Sequence, residues 1–216
     1  MILLCAPAFV SSQTHDFGGL LEVGFEQRIV KGLNFGIGAE GRFNQCFTNF
    51  NRLKLSADLS YSFWDKRFKV SVGGRYLLYN QEGTPENRGR VLGSITYTER
   101  IRQFKPSFRL RIQSTFYDEQ RRHVKFNPKT YLRGRLQLEY AFPARPMSLY
   151  ASTEFFLRLY KKDANIVDCF RTIVGWDYRL NAGNTIGVFF RADNEIQVAN
   201  PENVYYIGFK YGFKQK

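Results

Sequence analysis

The residues of this chain with the clearest potential for binding chemistry are its arginines. The 216 residues contain 32 Lys and Arg against 19 Asp and Glu, for a formal net charge of +13. A guanidinium group presents five donors in a planar fork and binds carboxylates and phosphates at two points. Such groups gathered on one surface would indicate nucleic-acid binding. Here they are spread through nearly every segment, so no nucleic-acid partner is expected.

The charged residues alternate with apolar ones at every second position. Residues 21–26 read Leu-Glu-Val-Gly-Phe-Glu, and residues 205–213 read Tyr-Tyr-Ile-Gly-Phe-Lys-Tyr-Gly-Phe. Side chains of a β-strand point alternately to opposite faces, so each such segment is a strand with one apolar and one polar side. The pattern restarts about eleven times, which predicts a closed barrel or a sandwich.

The strand lengths favour a membrane barrel. Most predicted strands have nine to fourteen residues, enough for the roughly 9–11 that a tilted strand needs to cross a bilayer. The prediction is all-β: a single antiparallel up-and-down transmembrane β-barrel of about 10–12 strands. Twelve is favoured because bacterial single-chain barrels have even strand numbers. The predicted strands are Phe17–Ile29, Leu33–Phe43, Arg52–Phe63, Phe68–Tyr79, Arg90–Thr98, Ser107–Tyr117, Tyr131–Ala141, Met147–Tyr160, Cys169–Leu180, Thr185–Glu195 and Val204–Phe213.

The predicted connections alternate between short turns and longer polar loops, as in outer-membrane barrels. Two of the long loops are expected at Asn44–Asn51 and Asn80–Gly89. Aromatic residues such as Trp64 and Trp176 collect beside the short turns, which indicates an interfacial girdle; the alternative is a soluble core whose aromatics cap one barrel end. No run approaches the roughly 18 apolar residues of a membrane-spanning helix. The expected location is therefore the cell outer membrane.

With lipid outside, the charged series lines the lumen and favours small anionic solutes. Hairpin folding places Arg133 near Glu154, and Arg171 near Asp193 or Glu195, as ion pairs that could also fill a small barrel. The expected function is a narrow or closed pore with a charge-paired lumen, or a structural surface protein. The lumen candidates are Arg109, Arg111, Arg133, Arg135, Glu139, Glu154, Arg158, Arg171, Arg179 and Arg191.

The first residues resemble the apolar part of a secretory signal peptide. Residues 1–12 are assigned to it, with cleavage before Gln13, and its start is expected to be incomplete because a basic leader is missing. Residues 13–216 are assigned to the barrel. Export would remove Cys5 and leave Cys46 and Cys169, which are expected to be unlinked thiols on distant strands.

No catalytic constellation, metal site or cofactor site is predicted. The two histidines, His15 and His123, lack a partnered nucleophile or a cluster of metal ligands. The basic loop Arg121–Lys125 is either a solvated loop or a contact for outer-leaflet glycolipid phosphates. Two alternatives remain open: a lipid-modifying outer-membrane enzyme using His123, and a soluble exported barrel that binds an apolar ligand.

The C-terminal segment resembles the signal by which outer-membrane barrels are recognised for assembly. Its positions fall on Tyr206, Gly208, Tyr211 and Phe213, followed by a Lys-Gln-Lys tail. This resemblance implies the barrel-assembly machinery as a partner, together with outer-membrane lipid and glycolipid.

The chain from about Asp16 onward also resembles a family of uncharacterised Gram-negative outer-membrane barrels, carried as a domain of unknown function. The resemblance rests on Asp16-Phe17-Gly18, on the segment from Tyr131 to Tyr140, on Glu154-Phe155-Phe156 and on the segment from Phe170 to Asn181. It implies fold and location and supplies no activity.

Overall fold

The described residues form eleven β-strands joined in sequence order. The computed structural model describes residues 14–81, 84–118, 127–159, 166–197 and 201–215. This part of the chain contains no helix long and apolar enough to cross a membrane. The predicted signal peptide, residues 1–12, and the basic loop with His123 lie outside the described residues. The strands are β1 Thr14–Val30, β2 Leu33–Asn44, β3 Asn49–Phe63, β4 Phe68–Gln81, β5 Thr84–Thr98, β6 Phe104–Tyr117, β7 Lys129–Ala141, β8 Met147–Arg158, β9 Ile166–Arg179, β10 Asn184–Glu195 and β11 Glu202–Gln215.

The strands close into one barrel through a parallel seam. Each strand pairs antiparallel with its sequence neighbour, and β1 pairs parallel with β11 from Thr14 opposite Glu202 to Gln27 opposite Gln215. In an up-and-down barrel the strands alternate in direction, so the first and last of eleven run the same way. The predicted up-and-down barrel of about 10–12 strands is confirmed, with eleven in the described residues where twelve was favoured.

The difference between the two barrel ends is smaller than the sequence indicated. We call the end that carries connections 31–32, 64–67, 99–103, 142–146 and 180–183 the turn rim, and the other end the loop rim. At the loop rim, the predicted long loops Asn44–Asn51 and Asn80–Gly89 are wrong. The strands there continue to Asn44, Asn49, Gln81 and Thr84, because backbone pairing persists where both faces are polar.

The two faces of the barrel differ as the alternation predicts. Outward residues are large and apolar, and Val23, Val72 and Val174 are each more than half exposed. Inward residues are mostly polar. The largest exception is an apolar cluster of Leu20, Phe189 and Tyr206, which project from β1, β10 and β11 and pack against Tyr150, Ile173 and Val204. This cluster occupies part of the lumen and narrows it.

Aromatic rings form a belt at the turn rim. Phe68 contacts Phe63, Trp64 and Tyr97 at centroid distances of 5.7, 5.5 and 5.0 Å. Further contacts of the belt join Phe104 to Tyr140, Tyr140 to Phe142, Trp176 to Tyr178 and Phe25 to Phe213. Trp64 is 70% exposed, so these rings face the surroundings rather than a protein core.

Candidate functional site

Most of the predicted lumen residues lie on the inner wall. The exception is Arg179, the last residue of β9, which is exposed at the turn rim. Arg179 occupies an inward-facing position in the alternation of β9, but the barrel wall ends there. The prediction that Arg179 lines the lumen is therefore corrected: it lies at the rim. The residues that line the cavities of the barrel interior are Arg109, Arg111, Arg133, Arg135, Glu139, Glu154, Arg158, Arg171 and Arg191.

Glu154 on β8 is shared by two arginines. Its Oε1 accepts a hydrogen bond from Arg109 Nη2 at 2.7 Å, and its Oε2 accepts one from Arg133 Nη2 at 2.6 Å. None of the three side chains is more than 14% exposed. Arg133 also donates to Gln113 and lies over the Phe156 ring, 4.0 Å from its centroid. The predicted ion pair is confirmed, and one carboxylate compensates two buried cations.

Asp193 on β10 has the same arrangement. Arg171 donates its Nε and Nη2 to the two carboxylate oxygens at 2.7 and 2.9 Å, and Arg191 donates to the same two oxygens. Of the two partners predicted for Arg171, the structure has Asp193. Glu195 instead accepts from the backbone N–H of Glu202 at 3.4 Å.

Glu40 on β2 is the third carboxylate of this kind. Arg52 Nη2 donates to its Oε1 at 2.9 Å, and Lys54 donates to its Oε2. Glu40 is only 3% exposed. We call Glu40, Glu154 and Asp193 the shared carboxylates. Each is held between two cations, so each ion-paired group retains one net positive charge.

Four aromatic rings on the inner wall each contact two cationic side chains. The guanidinium carbon of Arg88 lies 3.9 Å from the centroid of Tyr79, which makes it the closest of these contacts. Such cation–π contacts hold guanidinium groups in place without neutralising their charge. The pairs are Arg52 and Arg88 over Tyr79, Arg88 and Lys129 over Tyr117, Arg133 and Arg171 over Phe156, and Arg42 and Arg191 over Tyr206.

Several arginines stand directly opposite one another on neighbouring strands. Like charges in directly opposed positions destabilise a sheet, because their Cβ atoms are only about 5 Å apart. The wall therefore keeps positive charges close together at a cost in stability. The opposed pairs are Arg42 and Arg52, Arg75 and Arg90, Arg109 and Arg135, and Arg111 and Arg133.

The lumen contains two large cavities beside a smaller one of about 260 Å³. The loop-side cavity is about 1090 Å³, and fourteen Arg and Lys but only seven Asp and Glu line it, an excess of seven positive charges. The turn-side cavity is about 690 Å³. Both cavities reach the same middle level of the barrel, which we call the waist. It consists of Glu22, Glu40, Lys54, Arg75, Arg109, Arg111 and Arg135.

The waist carboxylates lie on one wall, where Lys54 on β3 pairs with Glu40, and three of the four waist arginines lie on another. Glu22 and Glu40 lie on β1 and β2, directly opposite one another in register. Arg109, Arg111 and Arg135 lie on β6 and β7, on the far side of the barrel. An anion that enters the lumen is therefore drawn towards the β6–β7 wall.

Sequence reasoning missed part of the loop-side wall. Arg88 lies in the predicted loop Asn80–Gly89, Arg90 begins the next predicted strand, and Lys129 lies between the predicted strands that end at Tyr117 and begin at Tyr131. All three line the loop-side cavity. Arg88 forms a two-point ion pair with Glu86, with both contacts at 2.8 Å. The available signal was the continued alternation of Glu86, Arg88 and Arg90 before the apolar part of β5.

The carboxyl group of Glu99 at the turn rim has a displaced pKa. Tyr97 donates its hydroxyl to Glu99 at 2.6 Å, and Arg67 lies 3.3 Å from the same carboxylate oxygen. The hydrogen bond first, and the positive charge second, lower the pKa of Glu99. Glu99 therefore stays ionised and adds negative charge at this rim.

The remaining candidate residues do not assemble into a catalytic or metal centre in the described part of the chain. His15 stacks on Tyr205 at a centroid distance of 6.4 Å. Cys46 and Cys169 are free thiols. The described residues contain no group of three or more His, Cys, Asp or Glu side chains arranged to hold a metal ion.

The proposed assembly signal is divided between the two faces of β11. Tyr206 is buried inside the barrel, where Arg42 donates to its hydroxyl at 3.2 Å. Gly208 lies opposite Phe189 in register. Because Gly208 has no side chain, the Phe189 ring can pack directly over its backbone. Tyr211 and Phe213 face outward and are 42% and 37% exposed.

These features define a class of protein: a closed up-and-down β-barrel with an apolar exterior and a charged interior. Over residues 17–205 the sequence matches the family described as "Protein of unknown function (DUF2490)". The chain belongs to this family.

No curated protein matches the chain. Among solved structures it is similar to an anion-selective porin from Comamonas acidovorans, with 11% sequence identity and a TM-score of 0.41. The alignment covers 87% of this chain and 53% of that one, so the chain spans about half the length of the porin.

Proposed function

We propose that the protein is an outer-membrane β-barrel whose narrow lumen conducts small anions. The observation that carries the proposal is the distribution of side chains, which is the reverse of that in a soluble protein. Large apolar residues are exposed around the barrel, and ion pairs such as Arg133 with Glu154 are buried inside it. An apolar exterior suits hydrocarbon, and a polar interior suits water. The aromatic belt at the turn rim supports the same arrangement because such rings favour membrane interfaces.

The charge of the lumen supports anions as the conducted species. An excess of seven positive charges around the loop-side cavity attracts anions and repels cations at low ionic strength. The ion pairs and the apolar cluster reduce the free interior, which favours ions and small solutes over large ones. The two cavities are large enough for hydrated small anions and share the residues of the waist as part of their linings.

Membrane residence is tested by fractionation and gel migration. We expect the protein in the outer-membrane fraction, with a faster-migrating folded band that shifts on boiling. Folded protein that stays soluble without detergent would support the alternative of an exported barrel with an apolar ligand. The charged interior speaks against such a ligand.

Conduction is tested in planar bilayers with the purified barrel. We expect ohmic single-channel current and, in a KCl gradient, a reversal potential displaced towards that of chloride. Absence of current would favour the second candidate, a closed structural surface protein whose lumen is filled by its ion pairs. Current that prefers potassium would contradict the proposed anion selectivity.

We propose no catalytic role, no cofactor and no metal. A lipid-modifying enzyme that uses His123 is tested by replacing that residue with Ala and analysing cellular lipids. The proposal expects unchanged phospholipid and glycolipid profiles, and a changed profile would restore the enzyme hypothesis. The proposed partners are outer-membrane lipid and glycolipid, the barrel-assembly machinery and small anionic solutes.

A further inference from the structure

The β6–β7 wall carries more positive charge than its neighbours compensate. Four arginines face one another there in two directly opposed pairs, Arg109 with Arg135 and Arg111 with Arg133. Glu154 is the carboxylate that reaches this group, and its two oxygens are taken by Arg109 and Arg133. Arg111 and Arg135 form no ion pair or hydrogen bond within the described residues, and the buried Nε of Arg111 has no partner.

Arg111 and Arg135, which form no ion pair in the described part of the chain although Arg135 stands opposite Glu154 in register, lie at the waist, where a ligand can reach them from either cavity. Arg111 and Arg135 line the loop-side and the turn-side cavities alike. They are diagonal neighbours in the β6–β7 register. Diagonal positions are about 7–8 Å apart, within reach of long side chains. Both guanidinium groups can therefore converge on one anion from the same wall.

We propose that Arg111 and Arg135 bind a doubly charged oxyanion, the phosphate group of a small phosphomonoester or of inorganic phosphate. Each guanidinium presents a planar fork of donors that matches two oxygens of a tetrahedral oxyanion. A chloride ion has one charge and a single accepting atom, so it cannot offer a separate pair of oxygens to each of the two forks. A dianion compensates both arginines at once and relieves the repulsion between the opposed pairs. This inference rests on the proposed function, since it names the solute class of the same lumen.

Binding is measured directly on the folded barrel in detergent. Isothermal titration with methyl phosphate, sulfate and chloride at constant ionic strength compares a phosphomonoester, a second dianion and a monoanion. We expect methyl phosphate and sulfate to bind at least about tenfold more tightly than chloride at pH 8, because each adds charge-assisted hydrogen bonds. Equal affinities for all three would overturn the proposal, since they would indicate only hydrated guanidinium groups in an open lumen.

The site is identified by substitution. The double variant Arg111→Gln with Arg135→Gln should lose at least about tenfold in affinity for methyl phosphate, because both two-point contacts are removed. It removes like-charge opposition, so we expect it to fold. Arg179→Gln removes an exposed arginine at the turn rim and is the matched control, with unchanged affinity. Wild-type affinity in the double variant would overturn the assignment.

A pH series separates the charge of the ligand from that of the protein. A phosphomonoester loses its second charge near pH 6, at about the value given for phosphorylated side chains, whereas sulfate keeps both charges. Methyl phosphate should therefore bind more weakly at pH 5 than at pH 8, with little change for sulfate. An equal fall for both ligands would overturn the requirement for two charges on the ligand.

Parallel bilayer recordings keep this inference distinct from the proposed function. In wild-type channels, methyl phosphate should reduce chloride current over the concentration range in which it binds. Anion-selective current without dianion binding would retain the pore and overturn the binding site. Dianion binding without any current would retain the site and overturn the pore.

Discussion

Replacing Glu154 with Gln should destabilise the barrel more than a comparable change at another lumen carboxylate. Glu154 is 4% exposed and accepts from Arg109 and Arg133 at 2.7 and 2.6 Å. Glutamine keeps the size and one acceptor oxygen but removes the charge, which leaves two buried cations uncompensated. Breaking a buried ion pair costs about 3–5 kcal/mol. We expect the lower end, about 3 kcal/mol, because the neighbouring cavity admits water that screens the charges.

The matched control is Glu139→Gln. Glu139 also lies on the lumen side and forms one ion pair, with Lys105 at 3.0 Å, but the two side chains are 26% and 40% exposed. Ion pairs in such solvated positions contribute about 0–1 kcal/mol. The two substitutions change the same functional group on neighbouring strands. The predicted difference between them, about 2–3 kcal/mol, therefore isolates the effect of burial and of sharing one carboxylate between two cations.

The assay is unfolding in denaturant with the protein in detergent micelles, followed by tryptophan fluorescence. Both variants should keep the slope of the wild type, since the surface exposed on unfolding is unchanged. The midpoint should fall clearly for Glu154→Gln and little for Glu139→Gln. Equal losses in the two variants would refute the inference that the shared carboxylates stabilise the lumen.

The same variant has a second, functional readout. Removing the charge of Glu154 raises the positive excess around the loop-side cavity from seven to eight, whereas Glu139 does not line that cavity. The reversal potential in a KCl gradient should therefore move further towards chloride for Glu154→Gln than for Glu139→Gln. A shift towards potassium would contradict the assigned direction of the field.

Two other predictions concern packing and the field of the lumen. Gly208→Ala should lower the yield and stability of the folded barrel, by about 1–3 kcal/mol, because an added Cβ would lie 2.1 Å from the Phe189 ring. Gly212→Ala on the same strand, where an added Cβ would lie 4.0 Å from the nearest atom, the carbonyl oxygen of Thr185, should be neutral or stabilising, and equal losses would refute the packing argument. Cys169, which lines the loop-side cavity, should react at least about tenfold faster with a negatively charged thiol reagent than with a positively charged one at low salt. The exposed Cys46, measured separately after replacing the other cysteine with Ser, should show a smaller ratio, and equal ratios would contradict the predicted field.

The alternation identified all eleven strands and the direction of their faces, because burial repeats every second residue in a strand. It failed at the loop rim. Residues 84–90 read Thr-Pro-Glu-Asn-Arg-Gly-Arg, a composition typical of loops, yet they continue β5. Outside an apolar environment, neither face of a strand needs apolar side chains, so the hydrophobic signal ends before the hydrogen-bonded ladder does. Arg88 and its ion pair with Glu86 were missed for this reason.

Pairing across strands was predicted approximately. The hairpin of β7 and β8 was expected to place Arg133 opposite Glu154, whereas the register places Arg135 there and Arg133 opposite Phe156. The ion pair forms nevertheless, because an arginine side chain reaches a diagonal neighbour. The contact from Arg109 on β6 to Glu154 on β8 crosses an intervening strand. It depends on the curvature of the barrel, which no local pattern contains.

The shared carboxylates connect the stability of this barrel to its proposed anion selectivity. Each compensates two cations with one charge, which holds the inner wall together and still leaves the lumen positive. Removing a carboxylate should therefore increase anion preference while lowering stability, and removing an uncompensated arginine such as Arg111 should do the reverse. In a lumen whose charges served only structure, pairing would be complete and directly opposed arginines would be absent. This wall instead contains four directly opposed arginine pairs, which repel one another. The positive electrostatic field that these arginines produce in the lumen is the physical reason we give for their cost in stability.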